Sequence, residues 1–199
     1  MGNARRSVSI LEQTLVERLR QRDERAFSEL VLLYQNKVFT LAYRMLGDRG
    51  EAEDLAQEVF LQVLRSIITF RGESKLSTWI YRIAINQCHN RRKYLGRRGH
   101  NKNAEFDTVD EVGASANTAS QIARPDAVLE GAQLEEALRM ALSKLDEEHR
   151  VIVILRDIED MSYDEIATVT GLAEGTVKSR LHRGRMALKQ HLERLWGKV

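Results

Sequence analysis

Apolar residues recur every three or four positions over most of this chain, and this spacing predicts amphipathic helices. The stretch "EAEDLAQEVFLQVLRSI" opens with acidic residues, as a helix N-terminus favours, and continues with four apolar residues at four-residue spacing: Leu55, Val59, Val63 and Ile67. The 199 residues include one proline and twelve glycines, so few positions interrupt such patterns. We therefore expect an all-α fold of two small helical domains joined by a flexible linker.

The first predicted domain spans residues 1–95. Its helical pattern breaks at "GDRG" (47–50) and at "FRGES" (70–74), where glycine and polar residues predict loops. The pattern resumes in "STWIYRIAINQCHNRRKYL", and we expect Ser77 or Thr78 to cap that helix.

A linker is predicted over residues 96–125, because this polar stretch is rich in Asn, Ala and Ser and has no sustained period. The second predicted domain then covers residues 126–199. Its helices are expected near 127–143, 147–158, 162–170 and 174–195.

The segment "MSYDEIATVTGLAEGTVKSRLHRGR" has the layout of a helix-turn-helix. Ser162 and Glu165 fit a capping box, and Gly171 suits the tight turn because glycine tolerates positive φ. The second helix is expected to bury Val177, Leu181, Gly184 and Leu188. Six polar residues then face outward: Lys178, Ser179, Arg180, His182, Arg183 and Arg185. This sidedness predicts a helix that enters the major groove of DNA, and the alternative is a solvated basic helix in a bundle.

A second basic segment supports the nucleic-acid interpretation. Between Glu73 and Glu105 the chain has no acidic residue but eight basic ones: Lys75, Arg82, Arg91, Arg92, Lys93, Arg97, Arg98 and Lys102. The net charge of the whole chain is only +2, so the basic residues barely outnumber the acidic ones, and what distinguishes them is their clustering. Two such segments in one chain indicate two contacts with one long polyanion.

Other function classes fit poorly. The sequence has no glycine-rich phosphate loop, no HExxH and no nucleophile elbow, so we expect no enzyme, no cofactor and no small-molecule substrate. Cys88 and His89 have no further Cys or His at ligand spacing, which argues against a metal site. A single cysteine suits a reducing cytoplasm, and no apolar stretch is long enough for membrane insertion.

Several of these segments together resemble a bacterial RNA polymerase sigma factor of the extracytoplasmic-function (ECF) group. "YRMLGDRGEAEDLAQEVFLQVLRSI", "FRGESKLSTWIYRIAIN" and "RRKYL" resemble region 2 of that family. "LSKLDEEHRVIVILRDIEDMSYDEIA" and "GTVKSRLHRGR" resemble region 4. The resemblance implies a protein that binds core polymerase, recognises the −10 and −35 promoter elements and starts promoter melting.

The resemblance also assigns partners and contact residues. Asp54, Gln57 and Glu58 would dock on the β′ clamp helices of core polymerase, while other contacts in the family involve the β flap. The outward residues of the helix-turn-helix would read the −35 element. The −10 element would be held by a loop and a helix: Phe70, Arg71, Gly72, Glu73, Ser74, Arg82, Asn86, Asn90, Arg91, Arg92 and Lys93. Within this set the loop at 70–74 would capture a flipped base and Asn86 would bond that base, while the phosphates would be gripped by Arg82, Arg91, Arg92 and Lys93. A cognate anti-sigma factor is also implied.

Some expectations stay open at this point. Asn90 stands where many family members have Asp, so a relative's −10 preference does not transfer. Trp79 and Tyr81 can stack on unpaired bases, although Trp79 fits better as a core anchor. The alternative function is a one-component helix-turn-helix transcriptional regulator with a ligand-binding N-terminal half. A third interpretation is an interaction module whose basic helices bind an acidic protein.

Overall fold

The computed structural model describes residues 10–100 and 125–196, and within these ranges the chain forms eight α-helices and no strand. The helices are α1 (Ile10–Arg20), α2 (Glu24–Leu46), α3 (Arg49–Ser66), α4 (Leu76–His100), α5 (Pro125–Ser143), α6 (Glu147–Val153), α7 (Tyr163–Thr170) and α8 (Glu174–Trp196). A 3₁₀ turn, Ile67–Thr69, follows α3, and a π-helical turn, Ile154–Ile158, follows α6. The predicted all-α fold is confirmed.

Short-range chemistry explains the break between α2 and α3. Gly47 ends α2 with a positive φ of 80°, a conformation that glycine adopts without steric cost. The Asp48 carboxylate then accepts a hydrogen bond from the Glu51 amide at 2.7 Å and caps α3. The predicted loop at "GDRG" is therefore a C-cap followed directly by an N-cap.

The start of α4 differs from the prediction. The helix begins at Leu76, so Ser77 and Thr78 lie in its first turn and neither is the N-cap. The Leu76 amide instead donates to the carboxylate of Glu12 on α1, a partner 64 residues earlier in the chain. At its other end α4 continues to His100, beyond the predicted domain end at residue 95. The predicted linker residues 101–124 lie outside the described residues.

The predicted apolar stripe on α3 is confirmed, because Leu55, Val59, Val63 and Ile67 are all buried. On α1, Leu15 and Leu19 are also buried, whereas Leu11 is 83% exposed. The helices of both predicted domains contribute to one continuous hydrophobic core, in which α4 packs against α7 and α2 packs against α5 and α6.

Arg150 joins the two predicted domains at the centre of this core. Its side chain belongs to α6 and the residue is 4% exposed. The guanidinium donates to the carbonyls of Leu142, Ser143 and Leu145 and, at 2.9 Å, to the carbonyl of Met45 at the end of α2. Burial lowers the pKa of Arg150 to about 10. One buried cation therefore satisfies the C-terminal carbonyls of two helices.

Candidate nucleic-acid interface

One face of α4 presents polar side chains to solvent. Arg82, Asn86, Asn90 and Lys93 are exposed, and their spacing of four, four and three residues places them on the same side of the helix. Within residues 10–100 and 125–196 none of the four has a protein partner for its side chain. This α4 face therefore offers two amides and two cations that are available to a ligand.

The loop before α4 leads directly into this helix. Arg71, Gly72 and Glu73 are exposed, and Gly72 has a positive φ of 72°. Phe70 differs from its neighbours in the predicted −10 set, because it is 3% exposed and its ring lies 5.3 Å from that of Trp79. The ring of Phe70 thus anchors the loop in the core instead of projecting toward DNA.

Trp79 and Tyr81 are both engaged with protein. Trp79 is partly buried and packs against the hydrophobic core, as expected for an anchor. Tyr81 is 5% exposed, and its hydroxyl donates to the Glu159 carboxylate. Burial and the Glu159 carboxylate raise the pKa of Tyr81. The expectation that Tyr81 can stack on unpaired bases is therefore wrong for this arrangement of the chain.

Two predicted phosphate contacts also face protein. Arg91 donates from Nη1 to Glu51 and from Nη2 to Glu58 at 2.7 Å, which leaves its side chain 19% exposed. Arg92 Nη1 lies 3.5 Å from the Met45 carbonyl, and its Nε lies 3.9 Å from Glu147. In this structure neither guanidinium belongs to the open α4 face.

Carboxylates of the second predicted domain line the flank of α4. Glu165 pairs with Lys75 at 2.7 Å, and Glu147 contacts the imidazole of His89. These contacts, with the Tyr81 hydrogen bond, form a polar seam between α4 and the helix-turn-helix domain. The sequence pattern did not predict this seam, because each pair joins residues more than fifty positions apart.

The helix-turn-helix elements form as predicted. The Ser162 amide donates to the Glu165 carboxylate at 2.9 Å, and the Glu165 amide donates back to the Ser162 hydroxyl, which completes the capping box of α7. Gly171 ends α7 with a φ of 72°. On α8 both Val177 and Leu181 are buried.

Gly184 lets α8 approach α6 closely. A Cβ atom added at Gly184 would lie 2.8 Å from Cγ2 of Val153 and 3.3 Å from Cβ of His149. Because Val153 is itself buried, a side chain at position 184 would force the two helices apart. The glycine in the predicted apolar stripe is therefore a position of close helix contact, and it determines how near α8 packs to α6.

Three basic side chains on the outward face of α8 are paired with acidic residues. Arg180 pairs with Glu148 at 2.8 Å, Arg185 Nε pairs with Asp157 at 3.0 Å, and Lys178 lies 3.6 Å from Glu174. The Asp157 hydrogen bond raises the pKa of Arg185, although the residue stays largely in solvent. The three remaining members of the predicted −35 set are exposed and have no acidic partner among the described residues: Ser179, His182 and Arg183.

Tyr163 is a supporting residue to which the sequence pattern assigned no role. The Lys178 ammonium lies 5.3 Å from the centre of its ring, and the Arg156 guanidinium lies 5.2 Å from it. Such cation–π contacts orient a flexible basic side chain. The sequence contained one indication of this role, because an aromatic residue directly follows the N-cap of α7 on the side that faces the basic helix.

A third face belongs to α3. Asp54, Gln57 and Glu58 are all exposed at helical spacing. The same side of the helix continues into exposed apolar residues that were not in the predicted set: Leu61, Leu64 and Ile68. This surface differs from the α4 and α8 faces because it is acidic and then apolar, which suits a protein partner rather than DNA.

Other kinds of site are not found in the part of the chain that the structure describes. There, no three His, Cys, Asp or Glu residues lie close enough together to hold a metal ion. Burial raises the pKa of the Cys88 thiol to about 12, so it is not an activated nucleophile. None of the described helices combines the length and the apolar character that a membrane span requires.

Comparison with known proteins identifies both halves of the chain. The family model "Sigma-70 region 2" matches residues 30–98, and "Sigma-70, region 4" matches residues 135–188. The RNA polymerase sigma-H factor of Pseudomonas aeruginosa is 37% identical over 92% of this chain and 95% of its own length. The ECF RNA polymerase sigma-E factor of Escherichia coli K12 is 33% identical over 95% of this chain and 98% of its own length.

Solved structures agree on the fold. CnrH in complex with the cytosolic domain of CnrY has a TM-score of 0.66 at 22% identity, over 92% of this chain and 97% of that one. The sigma factor RpoE in complex with the anti-sigma factor NepR from Bartonella quintana also has a TM-score of 0.66, at 23% identity, over 84% of this chain and 96% of that one.

Proposed function

Since this chain belongs to the sigma-70 family of RNA polymerase sigma factors, in its ECF group, we propose which of its surfaces recognises each part of a promoter. The observation that carries the proposal is the pair of solvent-facing polar surfaces, one on α4 and one on α8, within the matched regions 2 and 4. The proposed domains are residues 1–100 and 125–199, with a linker at 101–124, because α4 continues to His100 and α5 begins at Pro125.

The α4 face and the loop before it bind the −10 element as a separated strand. Asn86 presents an amide that both donates and accepts, which suits the Watson–Crick edge of a base taken out of the stack. Arg82 and Lys93 flank it as phosphate contacts, and Asn90 gives a second amide. The exposed residues of the loop close the other side of this surface: Arg71, Gly72 and Glu73, followed by the half-buried Ser74.

The α8 face binds the −35 element as duplex. Lys178, Ser179 and His182 lie in the first half of the helix and are exposed, which is the part of a recognition helix that reaches base edges. Arg180, Arg183 and Arg185 add positive charge around them. Because Arg180 and Arg185 are oriented by Glu148 and Asp157, they meet the duplex in a fixed geometry.

The α3 face binds core RNA polymerase through Asp54, Gln57 and Glu58, and the partner is the pair of β′ clamp helices. The β flap is a further contact of the same enzyme. The chain performs no covalent chemistry in this scheme, and it acts in the cytoplasm, where polymerase and promoter DNA are. An anti-sigma factor is a further partner, supported by the anti-sigma factor bound to a structural relative of this chain.

The two domains act together because they are tethered. Once polymerase holds the protein, binding of one promoter element raises the effective concentration of the other domain at its own element. Two modest affinities then combine into useful selectivity. The alternative of a one-component regulator has no support from the region 2 match over residues 30–98.

Reconstituted transcription tests the proposal. Purified bacterial core polymerase is incubated with genomic promoter fragments, with and without this protein, and transcript starts are mapped. We expect discrete starts only when the protein is present, preceded by shared −10 and −35 elements. Sequence-specific duplex binding by the protein alone, with no transcript from any fragment, would contradict the proposal.

A further inference from the structure

Arg91 lies on the wrong side of α4 for a DNA contact. With about 100° between successive residues of a helix, position 91 is about 140° around the axis from Asn86 and about 160° from Lys93. Its guanidinium accordingly contacts α3 rather than solvent, and its side chain is 19% exposed. A phosphate contact requires the opposite placement.

The charges around Arg91 also argue against a phosphate contact. Both of its terminal nitrogens donate to carboxylates, Nη1 to Glu51 and Nη2 to Glu58. These bonds raise the pKa of Arg91 against the opposing effect of burial. A cation between two anions presents no net positive charge to a phosphate, so the local electrostatics do not favour nucleic acid.

Glu58 uses only one of its two carboxylate oxygens in this contact. Its Oε1 accepts from Arg91 at 2.7 Å, while its side chain stays 49% exposed on the same face as Asp54 and Gln57. Its Oε2 has no hydrogen-bond partner among the described residues. A carboxylate fixed through one oxygen loses less rotamer freedom when the other oxygen binds a partner.

We propose that Arg91 is a positioning residue for polymerase binding, which holds Glu58 in place on the α3 face and does not contact the −10 strand. The inference rests on the proposed function, because it takes the α3 face as the polymerase-binding surface. It also gives α4 two roles on opposite sides: the open α4 face binds DNA, and Arg91 supports the polymerase contact.

A double-mutant cycle on core binding tests this assignment with the full-length protein. Glu58→Ala, Arg91→Ala and the double variant are titrated against immobilised core polymerase. We expect Arg91→Ala to weaken binding about three- to tenfold, and the double variant to bind no more weakly than Glu58→Ala alone. Fold losses that multiply in the double variant would overturn the proposal.

The salt dependence of DNA binding separates a phosphate contact of Arg91 from the proposed positioning role. The wild-type and variant holoenzymes are titrated with single-stranded DNA containing the −10 element at several salt concentrations. Lys93→Ala, an exposed basic residue two positions away, is the matched control and should lower the salt slope by about 0.7. Arg91→Ala should leave that slope unchanged. A slope reduced as much as in Lys93→Ala would overturn the assignment.

Three further variants keep the test decisive. If Arg91→Ala lowers the melting temperature sharply, Arg91→Lys replaces it in the cycle, because lysine keeps the charge but lacks the planar guanidinium whose two terminal nitrogens reach Glu51 and Glu58 separately. A two- to fivefold loss with the same non-additivity is then expected.

Asp54→Ala and Gln57→Ala separate failure of this inference from failure of the proposed function. If they weaken core binding while Arg91 variants do not, the inference fails alone; if neither they nor Glu58→Ala weaken it, the proposed polymerase face fails too.

Discussion

The two faces proposed for DNA differ in how their basic side chains are held. On α4, Arg82 and Lys93 have no protein partner among the described residues. On α8, three of the four cations are paired with acids of the same domain: Lys178 with Glu174, Arg180 with Glu148 and Arg185 with Asp157. The α4 cations are therefore free to move, and three of the four α8 cations are oriented and partly neutralised.

This difference fits the form of DNA that each face is proposed to bind. A separated strand is flexible, so long side chains without fixed partners can follow it and their charges act in full on its phosphates. A duplex has a rigid groove, and arginines that are already oriented lose less side-chain freedom when they enter it. On α8 the acids compete with the DNA phosphates for the paired cations, and this competition weakens DNA binding.

Removing the central amide of the α4 face should have the largest effect. Asn86→Ala deletes both polar atoms that are proposed to hold the flipped base, and such a contact is worth about 1–3 kcal/mol. We expect strand opening to fall about five- to 150-fold with polymerase binding unchanged, as measured by permanganate reactivity of thymines near the −10 element. Asn36→Ala, an exposed asparagine on α2, is the control. Normal opening by Asn86→Ala would rule out base capture at this position.

The next effect concerns the support of α8. Gly184→Ala places a Cβ 2.8 Å from Cγ2 of the buried Val153, so α6 and α8 must separate at a cost of about 1–2 kcal/mol. We expect a lower melting temperature and weaker −35 duplex binding, with −10 strand binding unchanged. Thermal unfolding and anisotropy titrations measure these quantities.

Gly175→Ala is the matched control for that variant. Position 175 is also in α8, but an added Cβ there meets nothing within 4 Å. Replacing glycine by alanine in a helix is favourable by up to about 1 kcal/mol, so stability should stay equal or rise. Equal destabilisation by the two variants would mean that the contact of Gly184 with α6 is not what matters.

A smaller effect should come from releasing Arg180. Glu148→Gln removes the carboxylate that holds this guanidinium at 2.8 Å, so its full charge becomes available to phosphates. We expect a few-fold gain in affinity for any duplex and a salt slope steeper by about 0.9. Glu29→Gln, which removes one of the two acids paired with Arg18 in the first domain, should change neither quantity. If Glu148→Gln instead weakens duplex binding, the acid is needed to orient Arg180 and the competition is unimportant.

Local patterns predicted much of this molecule. The α3 stripe, the capping box at Ser162 and the turn at Gly171 depend on residues close in sequence, and the structure confirms all three. Contacts between distant segments were not predictable. Glu12 caps α4 across 64 residues, Tyr81 is buried against Glu159, and Arg91 turns toward Glu58. A basic residue in an acid-free run indicates positive charge, but the run does not show which side of the helix packs on acidic neighbours.

Site-specific photo-crosslinking in the open promoter complex tests the central claim most directly. The promoter carries a −10 region that is already unpaired, so that the complex forms without the base contact of Asn86. A photoreactive amino acid replaces Asn86 on α4 or His182 on α8, with Gln35 on α2 as an exposed control. We predict that position 86 crosslinks to the unpaired strand of the −10 element and position 182 to upstream duplex at −35, with no crosslink from position 35. Crosslinks from position 86 to duplex DNA alone, or none to DNA from either helix, would contradict the account.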